Sequence, residues 1–121
     1  MPKLSIVVPV YYNEDNLRPL YADLKEKLLD RDNPFEVEIV MVDDGSGDRS
    51  YQVMEELKAQ DDRIHLYHLS RNFGSDAAVL CGLIQSTGDC AVVKCADLQE
   101  PTEMIYDMYE KWVEGNNVVL A

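Results

Sequence analysis

Apolar residues along this chain change period again and again, and each change marks a passage from a buried strand to an amphipathic helix. Leu4-Ser5-Ile6-Val7-Val8-Pro9-Val10 is a short β-branched run interrupted near its end by proline, as expected of a parallel strand covered on both faces. Leu17, Leu20, Tyr21, Leu24 and Leu28 then recur at helical spacing among Lys, Glu and Asp, which predicts one apolar stripe facing a sheet. Pro34 disfavours helical geometry in the residue before it, so this helix should end near Asp30-Arg31-Asp32-Asn33.

The alternation continues. Val37 to Val42 reads as a second strand, stopped by Asp43-Asp44-Gly45-Ser46, and Tyr51, Met54, Leu57 and Lys58 as a second helix. Ile64 to Leu69 makes a third strand, and Ser75 to Ser86 a third helix rich in Ala, Val and Leu. Thr87-Gly88-Asp89 is a turn with glycine where a helix C-terminus favours it. Cys90 to Ala96 is a fourth strand, and Pro101 suits the first turn of a helix striped by Ile105, Met108, Tyr109 and Trp112. Gly115-Asn116 caps that helix and Asn117-Val118-Val119-Leu120 begins a fifth strand. With no linker, repeat or low-complexity stretch, residues 1–121 are expected to form one doubly wound α/β domain. Its sheet should be essentially parallel, with right-handed crossovers placing helices on both faces. A sheet seldom stops on an unfinished edge strand, so the fold is expected to be truncated after about five strands.

Charge narrows the partners. Eleven Lys and Arg against 23 Asp and Glu give a net charge of −12, with no basic stripe, which excludes a nucleic-acid binder. An anionic ligand would have to be held through a divalent cation or backbone N–H groups. Cys81, Cys90 and Cys95 form no C-x-x-C pair, so they read as reduced thiols rather than a disulfide framework or a zinc site. No apolar run approaches the ~18–20 residues of a membrane span. Met1-Pro2-Lys3 leads into a strand without a leader pattern, and a soluble, cytoplasmic chain is expected.

In open α/β sheets, ligands bind beyond the carboxyl ends of the strands, where strand order reverses. The polar residues gather there. Tyr11, Tyr12, Asn13 and Glu14 follow strand one, and Asp43 and Asp44 follow strand two. Arg71, Asn72, Gly74 and Asp76 follow strand three; Asp97, Gln99 and Glu100 follow strand four. Ser46 and Asp48 suit turn formation and helix capping. Asp43 and Asp44 leave a buried strand together, and desolvating them is costly without a partner. One could accept a hydrogen bond from a nucleobase N–H or a ribose hydroxyl. Asp97 admits two readings: a cap for the Pro101 helix, or a ligand holding Mg²⁺ or Mn²⁺ against a diphosphate. His65 and His68 read as ordinary strand residues.

Several activities drop out. There is no G-x-G-x-x-G after strand one, no G-x-x-x-x-G-K-[ST] and no G-x-S-x-G, which argues against a dinucleotide oxidoreductase, a P-loop NTPase and an α/β-hydrolase. A sugar nucleotidyltransferase would want a Gly- and Arg/Lys-rich loop where Tyr11-Tyr12-Asn13-Glu14 stands.

Three segments resemble the family 2 glycosyltransferases of the GT-A fold: Val7-Val8-Pro9-Val10-Tyr11-Tyr12-Asn13-Glu14, Val42-Asp43-Asp44-Gly45-Ser46, and Ala96-Asp97-Leu98-Gln99-Glu100-Pro101. Ser70-Arg71-Asn72-Phe73-Gly74 with Ala77-Ala78 is similar to the polyprenyl-phosphate subgroup, the dolichol-phosphate mannose synthases and bactoprenol glucosyltransferases. The resemblance implies the nucleotide-sugar-binding part of an enzyme that moves a sugar from a UDP- or GDP-sugar to a lipid phosphate, with inversion. The full-length protein would then work at the cytoplasmic face of a membrane, with its catalytic base beyond residue 121.

By the same resemblance, Pro9, Tyr11 and Glu14 line the nucleotide pocket, and Asp44 meets the base with Asp43 beside it. Arg71 and Asn72 lie near nucleotide or sugar, and Asp97 and Gln99 near the Mg²⁺ or Mn²⁺ and the diphosphate. The sequence departs from the family at Cys95, which stands at the first position of the usual Asp-x-Asp, and at Asn13-Glu14, which sits one place off the commonest Tyr-Asn-Glu spacing. Ser75-Asp76 replaces a Lys-Glu pair common in the subgroup. Cys95 motivates an alternative function, a catalytically impaired nucleotide-binding or regulatory module. Sugar, base, acceptor and oligomeric state stay open.

Overall fold

The computed structural model describes residues 2–33, 35–94 and 104–113. Four strands, β1 (Lys3–Val10), β2 (Glu36–Asp43), β3 (Ile64–His68) and β4 (Cys90–Val93), alternate with helices α1 (Glu14–Leu24), α2 (Ser50–Gln60), α3 (Ser75–Gln85) and α4 (Met104–Val113). All strand pairs are parallel, in the order β3-β2-β1-β4. The chain therefore moves outward from β1 to β3, then crosses back to place β4 on the other side of β1. That reversal is the topological switch point of the sheet.

The elements follow from the apolar pattern. Every residue of the first predicted stripe, Leu17, Leu20, Tyr21, Leu24 and Leu28, is buried. A π-helical turn, Lys25–Leu29, extends α1. Its wider winding turns the adjacent Leu28 and Leu29 both inward. Alternate residues of β1 (Leu4, Ile6, Val8, Val10) and of β2 (Ile39, Met41) pack with these leucines, with Val53, Met54 and Leu57 of α2, and with Ile105, Met108 and Tyr109 of α4. The opposite face carries Val7, Val40 and Val42 under Ala78 of α3. Gly82, one turn after Ala78, lies so near Val7 that a Cβ there would strike its side chain, so α3 sits flush on the sheet. Helices thus cover both faces, as doubly wound chains require.

Hydrogen-bond direction along β1 explains how a central strand admits Pro9. The carbonyls of Lys3 and Val7 accept from Asp89 and Lys94, while those of Pro2 and Val10 accept from Glu36 and Asp44. Odd residues thus face β4 and even ones face β2. Pro9 lies two residues past Val7, the last β1 residue described as paired with β4, and its missing N–H removes no described ladder bond.

The N-terminal ends of the strands are locked by one carboxylate. Glu38 is 3% exposed and accepts from Ser5 Oγ at 2.6 Å, the Thr87 amide at 2.7 Å and Thr87 Oγ1 at 2.9 Å, with Lys3 Nζ at 3.2 Å. Burial opposes its charge, but the donors from Ser5, Thr87 and Lys3 outweigh it and hold the carboxyl at about 2. The predicted extension of β4 to Ala96, the Pro101 turn and the fifth strand lie outside the described residues.

Candidate functional site

At the carboxyl ends of β1, β2 and β3, three loops are bolted together. The β1–α1 loop is tied to the β2–α2 loop by two hydroxyls: the Tyr12 amide donates to Ser46 Oγ at 3.0 Å, and the Asn13 amide to Ser50 Oγ at 2.9 Å. Asn13 Oδ1 turns back to accept from the Tyr11 amide at 2.8 Å, while its carbonyl accepts from Asn16 and Leu17 to start α1. Tyr12 takes a left-handed backbone, φ +52°, which costs a residue with a Cβ about 1–2 kcal/mol.

The β2–α2 and β3–α3 loops meet at Asp44. Its Oδ1 accepts from the Phe73 amide at 2.8 Å, and its Oδ2 from the Gly74 amide and Asn72 Nδ2, both at 3.1 Å. The side chain is turned inward, 2% exposed. Gly45 permits this closeness: its φ is +72°, and a Cβ there would collide with the backbone of Arg71 and Asn72.

Asp43 is fully buried. Its Oδ1 accepts weakly from the Ser46 amide at 3.4 Å. Its Oδ2 lies 2.9 Å from His68 Nδ1 without a well-aligned hydrogen bond. The His68 ring is in turn edge-on to Tyr51, 4.6 Å between centroids. Asp48 is partly desolvated, yet the Ser50 hydroxyl and amide and the Glu14 amide more than compensate and hold its carboxyl below its ordinary value.

What remains open to a ligand is narrow in kind. Tyr11 and Tyr12 are about half exposed, their rings 4.7 Å apart and nearly perpendicular. Arg71 is exposed, its guanidinium 4.8 Å from the Phe73 ring centroid. Glu14 and Pro9 are half-buried at the start of α1 and near the end of β1. The loops thus bring together Tyr11, Glu14, Asp43, Asp44, Arg71 and Asn72 at one edge of the sheet. Asp97 and Gln99 lie outside the described residues, as does Cys95. Among the described residues no group of three or more His, Cys, Asp or Glu could hold a metal ion, so the described rim by itself does not fit one.

The sequence marks Ser46, Gly47 and Asp48 as turn and cap residues and gives no role to Ser50; that Ser46 and Ser50 tie two loops together appears only in the fold. His68, read as an ordinary strand residue, stands against a buried carboxylate. The usable signal was the unpartnered Asp43-Asp44 pair itself, which required donors from somewhere.

A parallel sheet of order β3-β2-β1-β4 with helices on both faces is a doubly wound α/β domain, its polar loops locked at the carboxyl ends of β1, β2 and β3. Residues 5–121 match the model of Glycosyl transferase family 2, and the chain belongs to that family. It is 43% identical over 117 residues to the uncharacterized glycosyltransferase YkcC of Bacillus subtilis, covering 97% of this chain and 36% of that protein. It is 37% identical over 119 residues to the bactoprenol glucosyl transferase of Shigella phage SfX, covering 98% and 38%. Among solved structures, S. aureus TarS 1-349 in complex with UDP-GlcNAc aligns with TM-score 0.73 and 27% identity over 93% of this chain and 31% of that one. The mannosyltransferase PcManGT of Pyrobaculum calidifontis, in complex with GDP-Man and Mn²⁺, shares the fold at TM-score 0.79 and 22% identity, over 97% and 34%. The chain spans just over a third of the length of these curated relatives.

Proposed function

We propose that this chain is the donor-binding part of an inverting glycosyltransferase that takes a sugar from a UDP- or GDP-sugar and delivers it to a polyprenyl phosphate at a membrane surface. The observation that carries the reading is the locked rim at the carboxyl ends of β1, β2 and β3, where Tyr11, Tyr12 and Arg71 are exposed beside carboxylates already engaged by the protein. Such a site offers flat apolar surface to a base and one guanidinium to a phosphate. Family membership supports the reaction class, and the likeness to bactoprenol glucosyl transferases supports the lipid acceptor.

The residues divide by task. Asp44 holds 72–74 in place and Asp43 braces the Ser46 turn, so both serve the pocket by fixing its walls. Pro9, Tyr11 and Glu14 line it, and Arg71 and Asn72 approach the nucleotide or sugar. We propose Asp97 as the residue that would hold Mg²⁺ or Mn²⁺, with Gln99 as a further donor-site residue. A divalent ion held there would supply charge neutralisation of the leaving diphosphate. With Cys95 in the usual first carboxylate position, a catalytically impaired nucleotide-binding or regulatory module is the second reading.

Calorimetric titration of UDP and GDP, with and without Mn²⁺, tests both. Metal-dependent binding of one nucleotide, weakened about tenfold or more by Asp97→Ala, supports the enzyme reading. Binding indifferent to metal and to that substitution favours the impaired module. Failure of both nucleotides to bind refutes the donor site.

A further inference from the structure

His68 stands behind all three loops of the rim. Among the described residues, Asp43 Oδ2 is the one buried side-chain nitrogen or oxygen without a hydrogen bond, and leaving a carboxylate oxygen so inside a protein is costly. The group placed to relieve it is the His68 imidazole, its Nδ1 2.9 Å away and its side chain 47% exposed. The ring thus faces a buried charge on one side and solvent on the other. Two arms run from it to the β1–α1 loop. One passes through Asp43, whose Oδ1 accepts from the Ser46 amide, to Ser46 Oγ, which accepts from the Tyr12 amide. The other passes through Tyr51, edge-on to the ring at 4.6 Å between centroids, to its neighbour Ser50, whose Oγ accepts from the Asn13 amide. The β3–α3 loop itself leaves β3 at His68. A protonated ring sets a cation and its N–H against Asp43, a stronger bond than a neutral donor makes.

From this geometry we propose that His68 is a positioning residue of the donor site, acting through Asp43 and Tyr51 on the two serines that hold the β1–α1 loop, and that its protonation tightens nucleoside diphosphate binding. The inference rests on the donor-site reading above and adds to it a group that works without touching the ligand. Imidazoles exchange their proton between about pH 5 and 8, so affinity should rise as pH falls through that window. Asp43 of β2 and Tyr51 of α2 are the titratable groups described against the ring. Along the neighbouring groove α2 adds Glu55 and Lys58 and β3 adds His65, and Arg71 follows on the β3–α3 loop. All of these, and the phosphate of the nucleotide, are the same in every variant below, so differences between variants isolate His68.

The test is calorimetric titration, at about pH 6 and about pH 8, of whichever of UDP and GDP the wild type binds. His68→Ala removes the ring and should weaken binding about fivefold or more at the lower pH, the small end of coupling between sites. His68→Asn keeps a nitrogen on Cγ where Nδ1 stands but has no proton to gain. It should recover most of the loss, binding like wild type at the higher pH and more weakly than wild type at the lower. Residue-resolved hydrogen exchange gives a second readout: the Tyr12 and Asn13 amides, donors to the two serines, should lose protection in His68→Ala and keep it in His68→Asn. Equal affinity of wild type and both variants overturns the proposal, as does a pH profile shared by wild type and His68→Asn. Weakened binding in His68→Ala with Tyr12 and Asn13 still protected would set His68 against the ligand itself and also overturn it. Should His68→Ala fail to fold, His68→Asn against wild type at the two pH values decides alone. If wild type binds neither nucleotide, the donor-site reading falls and this inference with it; if wild type binds and the variants match it, only the role of His68 falls.

Discussion

Replacing Asp44 tests whether one carboxylate organises the β3–α3 loop. Its two oxygens accept from two backbone amides and one side-chain amide, at 2.8, 3.1 and 3.1 Å, in a site 2% exposed. In Asp44→Asn the better orientation keeps an oxygen at the Oδ2 position and points NH₂ at the Phe73 amide, so one charge-assisted bond becomes a donor facing a donor. A hydrogen bond to a charged group contributes about 1.5–3 kcal/mol, so the loop should lose about 2–3 kcal/mol of local stability. At about 1.4 kcal/mol per decade, this is a 30- to 150-fold loss of amide-exchange protection at Phe73. Gly74 should be affected less in Asp44→Asn, whereas in Asp44→Ala both amides should lose protection together. Hydrogen exchange resolved by residue, with amides of β1 as internal reference, reads this directly. Protection at Phe73 and Gly74 unchanged in Asp44→Ala would mean that Gly45's close packing, not the carboxylate, holds the loop.

Other perturbations probe the rest of the frame. The Glu38 carboxyl sits at about 2 against an ordinary 4.5; because its folded value is the lower one, its stabilisation is full above about pH 4.5 and is lost as pH falls toward 2. That loss should amount to about 3 kcal/mol in acid denaturation, and Glu38→Gln should flatten the slope in this window; a slope as steep as wild type would assign it to other groups. His68→Ala removes the group 2.9 Å from the buried Asp43 Oδ2 and should cost about 1–3 kcal/mol in urea unfolding; a change under about 0.5 kcal/mol would mean that water replaces the ring at no loss. Gly45→Ala combines φ +72° with a backbone collision, and should destabilise by about 2–4 kcal/mol; a melting temperature equal to wild type would refute the packing argument.

Much of the frame was legible because it is written in local spacing. Leu17, Leu20, Tyr21, Leu24 and Leu28 repeat at helical period, and all five are buried in α1 and the turn that extends it. Val37 to Val42 and Ile64 to Leu69 lie within one or two residues of β2 and β3. The β-branched runs and the turn residues between them suffice for a parallel, doubly wound chain, since each signal spans only a few residues. The clustering of polar residues at strand ends was equally visible, and Tyr11, Glu14, Asp43, Asp44, Arg71 and Asn72 all lie at that edge of the sheet.

What each polar residue does there was not local. Asp43 and Asp44 are identical letters side by side, yet one faces His68, 25 residues on, and the other gathers the backbone of 73–74. Nothing in the run Val37 to Val42 marks Glu38 as buried; it is buried because Ser5 and Thr87, 33 and 49 residues away in sequence, converge on it. Tyr12 carried no mark of a left-handed backbone; that conformation exists because Ser46 and Gly47 arrive beside it on a different loop. The period of the side chains selected the elements, whereas the order β3-β2-β1-β4 selected their neighbours. A buried carboxylate or a strained tyrosine is stable only in the company of donors and seats that sheet order brings into contact.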